Sequence, residues 1–374
     1  IKRSFILIES INTQKSYTSR PFILAFSLRK HLLSIIFVLF TIGLVSFSNS
    51  NFVAARTGLK LWANNVVPSL LPFLIATNLL SHTNIINFLS QKSNKFMRPL
   101  FNVPGDAVYA FIFGLISGYP VGAKIVADLR NNDVCTKDEA ERMLCFTNNS
   151  GPLFIIGTVG ISLFSNTSIG FLLLITHILS ALSIAITLGI LSRFKKKESI
   201  SLTANISFSS ATNFQKNKFA TFSNLGEILS TAILESSKTL IMIGGFVVLF
   251  SVLISILSKS RILLVLSTIF SPLLKLFGIS TEFSLPLISG LIELTNGVFA
   301  VSKIPSKLLS TNIILSAFLL GFGGISVMLQ VLSITSKAGL SIKKYAFWKL
   351  VQGILAGFYT YILLSTIPFF YFNL

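Results

Sequence analysis

The sequence predicts an all-α membrane protein of about seven transmembrane helices plus two re-entrant helical hairpins, arranged as an inverted repeat. Three observations predict it. The chain is 52% hydrophobic and only 11% charged, with a mean hydropathy of +0.79, which leaves too little polar surface for a soluble domain of this length. Its apolar residues gather in runs of about 20, the number a helix needs to cross a bilayer. The order of those runs then occurs twice.

Charge sets the boundaries between elements. Lys and Arg number 31 against 12 Asp and Glu, a formal net charge of +19. The cations cluster between apolar runs without a basic-aromatic pattern, so they point to loops held in the cytoplasm and not to nucleic acid. Residues 1–30, with Lys2, Arg3, Lys15, Arg20, Arg29 and Lys30, form a basic cytoplasmic segment. The first transmembrane helix, 31–48, follows as an uncleaved anchor, although Val53-Ala54-Ala55 has the small residues of a cleavage site. Further unbroken spans are 168–191, 239–258 and 346–368. The spans 62–80, 143–164 and 309–335 hold Pro, Gly or Asn in their interiors, and 107–127 and 283–303 are interrupted near their middles. Segments 84–100 and 262–278 mix apolar and basic residues, as helices lying along the interface do.

The flexible basic linker 192–222 divides the remainder into two repeats, 58–191 and 223–374. In the first, Arg98-Pro99-Leu100-Phe101 leads through Gly105 to Leu115-Ile116-Ser117-Gly118. In the second, Ser271-Pro272-Leu273-Leu274 leads through Gly278 to Leu287-Ile288-Ser289-Gly290. The positive-inside rule puts the N-terminus, residues 92–98, 128–142, 192–222 and Lys337, Lys343 and Lys344 in the cytoplasm, with the C-terminus outside. Each half then crosses an odd number of times, so the halves run in opposite orientations, an arrangement common in secondary transporters. Lys259, Arg261, Lys303 and Lys307 fall outside on this scheme, against the charge rule.

The breaks carry the chemistry. In the first hairpin, Ser117-Gly118-Tyr119-Pro120 and the stretch to Lys124 separate two apolar legs of about ten residues, or ~15 Å of helix, half of a ~30 Å hydrocarbon core. The second hairpin brings Ser289, Glu293, Thr295 and Asn296 to similar depth. The span after the first hairpin contains Thr147-Asn148-Asn149-Ser150-Gly151-Pro152, a helix-start signal inside a membrane segment. Its counterpart is Gly323-Gly324, followed by Ser326 and Gln330. Unwound backbone at membrane depth is tolerated only where protein buries it or where it lines a wet cavity. Close packing of small residues accounts for any single break. Four at one depth predict a shared site of unpaired N–H groups and amide side chains, suited to a small, polar, largely uncharged solute.

The candidate contacts in the first half are Ser117, Gly118, Tyr119, Pro120, Lys124, Thr147, Asn148, Asn149 and Gly151. In the second half they are Ser289, Glu293, Thr295, Asn296, Gly323, Gly324, Ser326 and Gln330. An ionised side chain at a helix centre costs roughly 2.5–3.5 kcal/mol on insertion scales, which singles out Glu293 as a place for a coupling Na⁺ or H⁺. Lys124 has a stem long enough to reach the cytoplasmic face. The acidic run Asp128, Asp133, Asp138, Glu139 and Glu141 reads as a solvated helix-and-turn face. Cys135 and Cys145 read as two reduced thiols, and the three histidines have no ligand spacing. No phosphate loop, dinucleotide fingerprint, metal pair or nucleophile–base pair occurs, so neither an enzyme nor a cofactor is expected. The competing expectation is a membrane scaffold that gathers partners, in which exposed loops 128–142 and 192–222 matter most.

Leu115-Ile116-Ser117-Gly118-Tyr119-Pro120-Val121-Gly122-Ala123-Lys124 and Phe146-Thr147-Asn148-Asn149-Ser150-Gly151-Pro152-Leu153-Phe154-Ile155-Ile156-Gly157 resemble the YlbJ family of sporulation integral membrane proteins. Trp62 with Val67-Pro68-Ser69-Leu70-Leu71-Pro72-Phe73, Glu293-Leu294-Thr295-Asn296-Gly297 and Phe322-Gly323-Gly324-Ile325-Ser326 fit the same pattern, and the likeness spans roughly residues 58–335. The resemblance implies a nucleoside-recognition, or Gate, domain laid out like the core of concentrative nucleoside transporters. It also implies a multi-pass protein of the cell membrane in an endospore-forming bacterium, with a role in spore formation, possible homo-oligomers and sporulation membrane partners. It supplies no ligand.

Overall fold

Backbone polar groups in hydrocarbon must be paired within their own segment, and a helix does this unaided. Every regular element among the described residues is helical. The computed structural model describes residues 20–83, 85–194, 223–305 and 309–366. Expectations for residues 1–19, 195–222, Lys307 and the C-terminal end lie outside the described residues. Contacts divide the chain into two units, 1–53 and 54–374. The first contains α1 (Arg20–Ser46) and the start of α2 (Ser48–Leu61). Between these helices the Asn51 amide donates to the carbonyls of Gly43 and Leu44 at 3.0 and 3.2 Å.

In the second unit a π-helical turn, Trp62–Val66, leads into α3 (Val67–Ser81). The Trp62 indole N–H donates to the Leu240 carbonyl at 3.0 Å, and its ring occupies the space above Gly244. Next come α4 (Ile85–Phe101), α5 (Ala107–Ser117), α6 (Val121–Asn131) and α7 (Lys137–Thr147). A π-helix, Leu153–Leu163, and the long α8 (Thr167–Phe194) complete this half. The other half consists of α9 (Leu225–Lys259), α10 (Ile262–Leu276), α11 (Ser284–Ile292), α12 (Leu294–Ser302), α13 (Leu309–Phe322), α14 (Gly324–Thr335) and α15 (Lys343–Thr366). The order is the same in both: a helix (α3 or α9), a helix with an internal proline (Pro99 or Pro272), a short helix pair, a broken helix and a long helix.

Both short pairs fold back on themselves. Gly114 and Gly122 lie eight residues apart, which on a continuous helix would be ~12 Å; instead a Cβ on Gly114 would come within 2.8 Å of the Gly122 Cα. Gly290 and Gly297 make the same backbone-to-backbone contact between α11 and α12. Glycine at these four positions lets two helices meet without a side chain between them.

Among the described residues, four helical stretches are long and apolar enough to cross a membrane: Thr167–Phe194, Leu225–Lys259, Leu309–Ala338 (α13 and α14 together) and Lys343–Thr366. The pair His31–Ser46 and Ser48–Asn64 adds a fifth if it counts as one span. The expected span 143–164 is missing from this set because it is two short pieces. Its second piece is wound as a π-helix, where the sequence predicted an ordinary α-helical restart at Pro152. The distribution of side chains is inverted relative to a soluble protein. Ile190, Ile241, Phe347 and Phe358 are exposed, while Thr176, His177, Ser180, Lys349, Gln352 and Thr360 are fully buried.

Candidate functional site

The first break begins where α7 ends. Its N-terminus is fixed by a capping box: Thr136 Oγ1 accepts from the Glu139 N–H, and the Glu139 carboxylate accepts from the Thr136 N–H. About three turns later the helix stops at Thr147, and Asn148–Gly151 run as open backbone. The tip of the α5–α6 hairpin sits on this break. A Cβ on Gly118 would approach the Gly151 N to 2.8 Å, and the Ala123 N–H donates to Asn148 Oδ1 at 3.4 Å.

Asn148 and Asn149 are fully buried and fully engaged. The Asn148 amide donates to the Tyr345 hydroxyl at 2.8 Å, and the Asn149 amide donates to the Phe146 carbonyl at 2.7 Å. The Gln352 amide donates to Asn149 Oδ1 at 3.0 Å. Lys349, at 0% exposure, donates to the Asn148 carbonyl at 3.1 Å and to Gln352 Oε1 at 2.7 Å, with its ammonium 5.0 Å from the centre of the Tyr119 ring. All of its hydrogen-bond partners are neutral, and among the described residues no carboxylate pairs with it. On the opposite side of the break, His177 Nε2 accepts from the Ser150 N–H at 3.2 Å, while its Nδ1 is buried without a partner. Thr147 Oγ1 and Ser117 Oγ are likewise buried and unpartnered. These orphaned atoms mark a polar interior that packing alone does not satisfy.

The second break is built differently. Glu293 terminates α11 and caps α12, its carboxylate accepting from the Thr295 and Asn296 N–H groups at 3.1 and 2.8 Å. Gly323 and Gly324 separate α13 from α14 with φ near +84° at both, a conformation that L side chains resist. This pair is the junction of the site. A Cβ on Gly323 would lie 3.0 Å from the Tyr119 hydroxyl, and one on Gly324 would lie 3.2 Å from both the Gly290 carbonyl and the Leu294 N. The Tyr119 hydroxyl also donates to the Leu320 carbonyl at 3.2 Å. Both hairpin tips therefore rest against one two-residue turn.

Against the sequence, the structure joins Gly118, Tyr119, Asn148, Asn149, Gly151 and Gly323 in one cluster, and Glu293, Thr295, Asn296 and Gly324 in an adjoining one. Gln330 donates to Ser326 Oγ at 3.4 Å, one turn along the buried face of α14. Lys124 is only half-buried, and its charge couples to Asp128 and Glu235, away from the breaks. Ser289 is buried, and its carbonyl accepts from the Glu293 N–H. Part of the acidic run is not a solvated face. Glu141 is 6% exposed; Lys344 bridges it to Asp138 at 3.0 and 2.8 Å, and Arg98 pairs with Glu139 at 2.6 Å. Both cysteines are free and buried, and the described residues hold no cluster of metal-ligating side chains.

Lys349, Gln352, Tyr345 and His177 were missed by the sequence predictions. The signal was present: positions 345, 349, 352, 356 and 360 fall on one face of a helix, and that stripe is interrupted by polar groups in an otherwise apolar span. Treating 346–368 as uniformly apolar concealed it.

Residues 63–150 and 240–341 match the Gate family, described as nucleoside recognition. The chain is also 38% identical over 336 residues, 89% of its own length and 82% of the relative's, to the sporulation integral membrane protein YlbJ of Bacillus subtilis (strain 168). The chain belongs to the YlbJ family. No solved structure matches it. The two Gate segments contain both hairpins, α7 with the first break as far as Ser150, and the Gly323–Gly324 turn. In this YlbJ-family chain the buried lysine comes from α15, which begins at Lys343, beyond the end of the Gate match.

Proposed function

We propose that this YlbJ-family protein is a transporter-like carrier for a small polar solute bearing a negatively charged group, and that it serves spore formation. The observation that carries this reading is Lys349: a fully buried amine with neutral partners, set between the open backbone of the first break and the tip of the first hairpin. Holding this amine protonated without a counter-charge costs on the order of several kcal/mol, so an anion that enters and pairs with it offsets that cost. The backbone of the break, the His177 Nδ1 and the orphaned hydroxyls would add hydrogen bonds to it. A negative group on the solute departs from the uncharged solute expected from the Asn side chains, because both are already occupied within the protein.

The membrane arrangement follows the same reading: seven crossings, with α5–α6 and α11–α12 as re-entrant hairpins. The 11 residues of α5 and the 9 of α11 make helices of ~16 and ~14 Å, about half the hydrocarbon thickness. A common cytoplasmic face is supported by ion pairs and hydrogen bonds among Arg98, Glu139, Arg193 and Lys344 and their partners, since these residues come from four separate stretches that the charge rule assigns to the cytoplasm. A coupling Na⁺ or H⁺ at Glu293 would have to share the carboxylate with two backbone N–H groups.

The test is mass spectrometry of solutes retained by the protein purified in mild detergent, with a Lys349→Met variant in parallel. The expected result is a small anionic solute on the unaltered protein and none on Lys349→Met, whose thermal stability stays equal or rises. Retention of the same anion by Lys349→Met overturns the role of Lys349. Full support of spore formation by that variant favours the scaffold.

A further inference from the structure

Two of the contacts that hold helix α15 differ in how readily they part. Along its body the contact with α13 is backbone against backbone: a Cβ on Gly321 would lie 2.7 Å from the Gly353 Cα. Packing of that kind does not come apart without opening a void. At its start the contact with α7 is ionic. Lys344 spans Asp138 and Glu141, Arg142 pairs with Asp138 and donates to the Asn102 carbonyl at 2.8 Å, and Glu141 Oε1 accepts from the Ser341 N–H at 3.1 Å. Two cations and two carboxylates balance here, and Lys344 and Asp138 reach the surface, so this part of the contact can separate and re-pair. Directly beneath lies the Tyr345–Asn148 hydrogen bond, and beneath that Lys349.

We infer that the ion network joining the starts of α7 and α15 is a latch, and that the enclosure around Lys349 opens by separation of these two helix starts. The inference rests on reading that enclosure as a solute chamber. Nature supplies a reporter: Cys145, on α7 three residues before Asn148, is fully buried, its thiol donating to the Glu141 carbonyl at 3.2 Å. With the latch closed this thiol is shielded; with it open, a small electrophile reaches it.

In a Cys135→Ser background the rate of Cys145 alkylation by N-ethylmaleimide is followed by intact-protein mass spectrometry. Lys344→Gln is expected to raise the rate about tenfold, Lys344→Arg to leave it near the starting value, and Lys238→Gln, which removes an exposed pair with Glu235, to leave it unchanged. Should Lys344→Gln fail to fold, raising NaCl from 0.05 to 1 M on the parent chain takes its place, again with an expected acceleration. Alkylation rates that ignore both Lys344→Gln and salt overturn the latch. The measurement needs no solute, so its failure is distinct from failure of the carrier reading: loss of solute on Lys349→Met with Cys145 indifferent to Lys344 would leave the chamber and remove the latch.

Discussion

Replacing Glu293 separates its role as a cap from any role as a ligand. The side chain is 4% exposed, and its two oxygens receive the first free N–H groups of α12, from Thr295 and Asn296. Glu293→Ala leaves two buried donors without acceptors. Each such donor costs about 1–3 kcal/mol, so the sum is about 2–4 kcal/mol if water partly reaches the gap. Glu293→Gln keeps one acceptor oxygen and turns an NH₂ toward the other N–H, so about 1–2 kcal/mol is expected. Equilibrium unfolding in mixed micelles with increasing dodecyl sulfate should rank the proteins unaltered, then Gln, then Ala. Amide exchange at Thr295 and Asn296 should accelerate selectively in the Ala variant. An Ala variant within about 0.5 kcal/mol of the parent, with both amides still protected, would refute the capping account.

Two further outcomes are expected. Gly353→Val places a branched side chain against the Phe318 carbonyl and the Phe322 N, and about 3 kcal/mol or more of stability should be lost in the same micelle assay, since both of these are backbone atoms. Asp106, in the loop before α5, has its carboxyl held above the usual range because burial outweighs its hydrogen bond with Ser90 and the Arg98 charge. The folded protein thus binds this proton more tightly than the unfolded chain, and stability should fall as pH rises from 3.8 through the raised value; Asp106→Asn should flatten that slope in thermal unfolding series.

The helical architecture was legible because runs of apolar residues, interrupted at Gly, Pro and Asn, leave a plain trace in one dimension. The breaks at Gly118, Asn148, Glu293 and Gly323 all lie where turn-formers interrupt those runs. The partners of each broken piece were not legible. Asn148 reads as an open donor and acceptor in the sequence, but its amide is taken by Tyr345, 197 positions away. Glu293 reads as a stranded charge until the backbone turn places two N–H groups on it. Lys349 was hidden for the opposite reason: a single cation in a long apolar span resembles a residue that could reach the surface, and only helix packing on several sides shows that it cannot. The π winding of Leu153–Leu163 has no sequence signal that distinguishes it from an α-helix.

The Gly323–Gly324 turn touches Tyr119 on one side and the start of α12 on the other. Both hairpins are therefore braced against one support. A disturbance at one arm therefore reaches the other through two peptide units, as through the pin of a pair of scissors, and the two arms work as one tool.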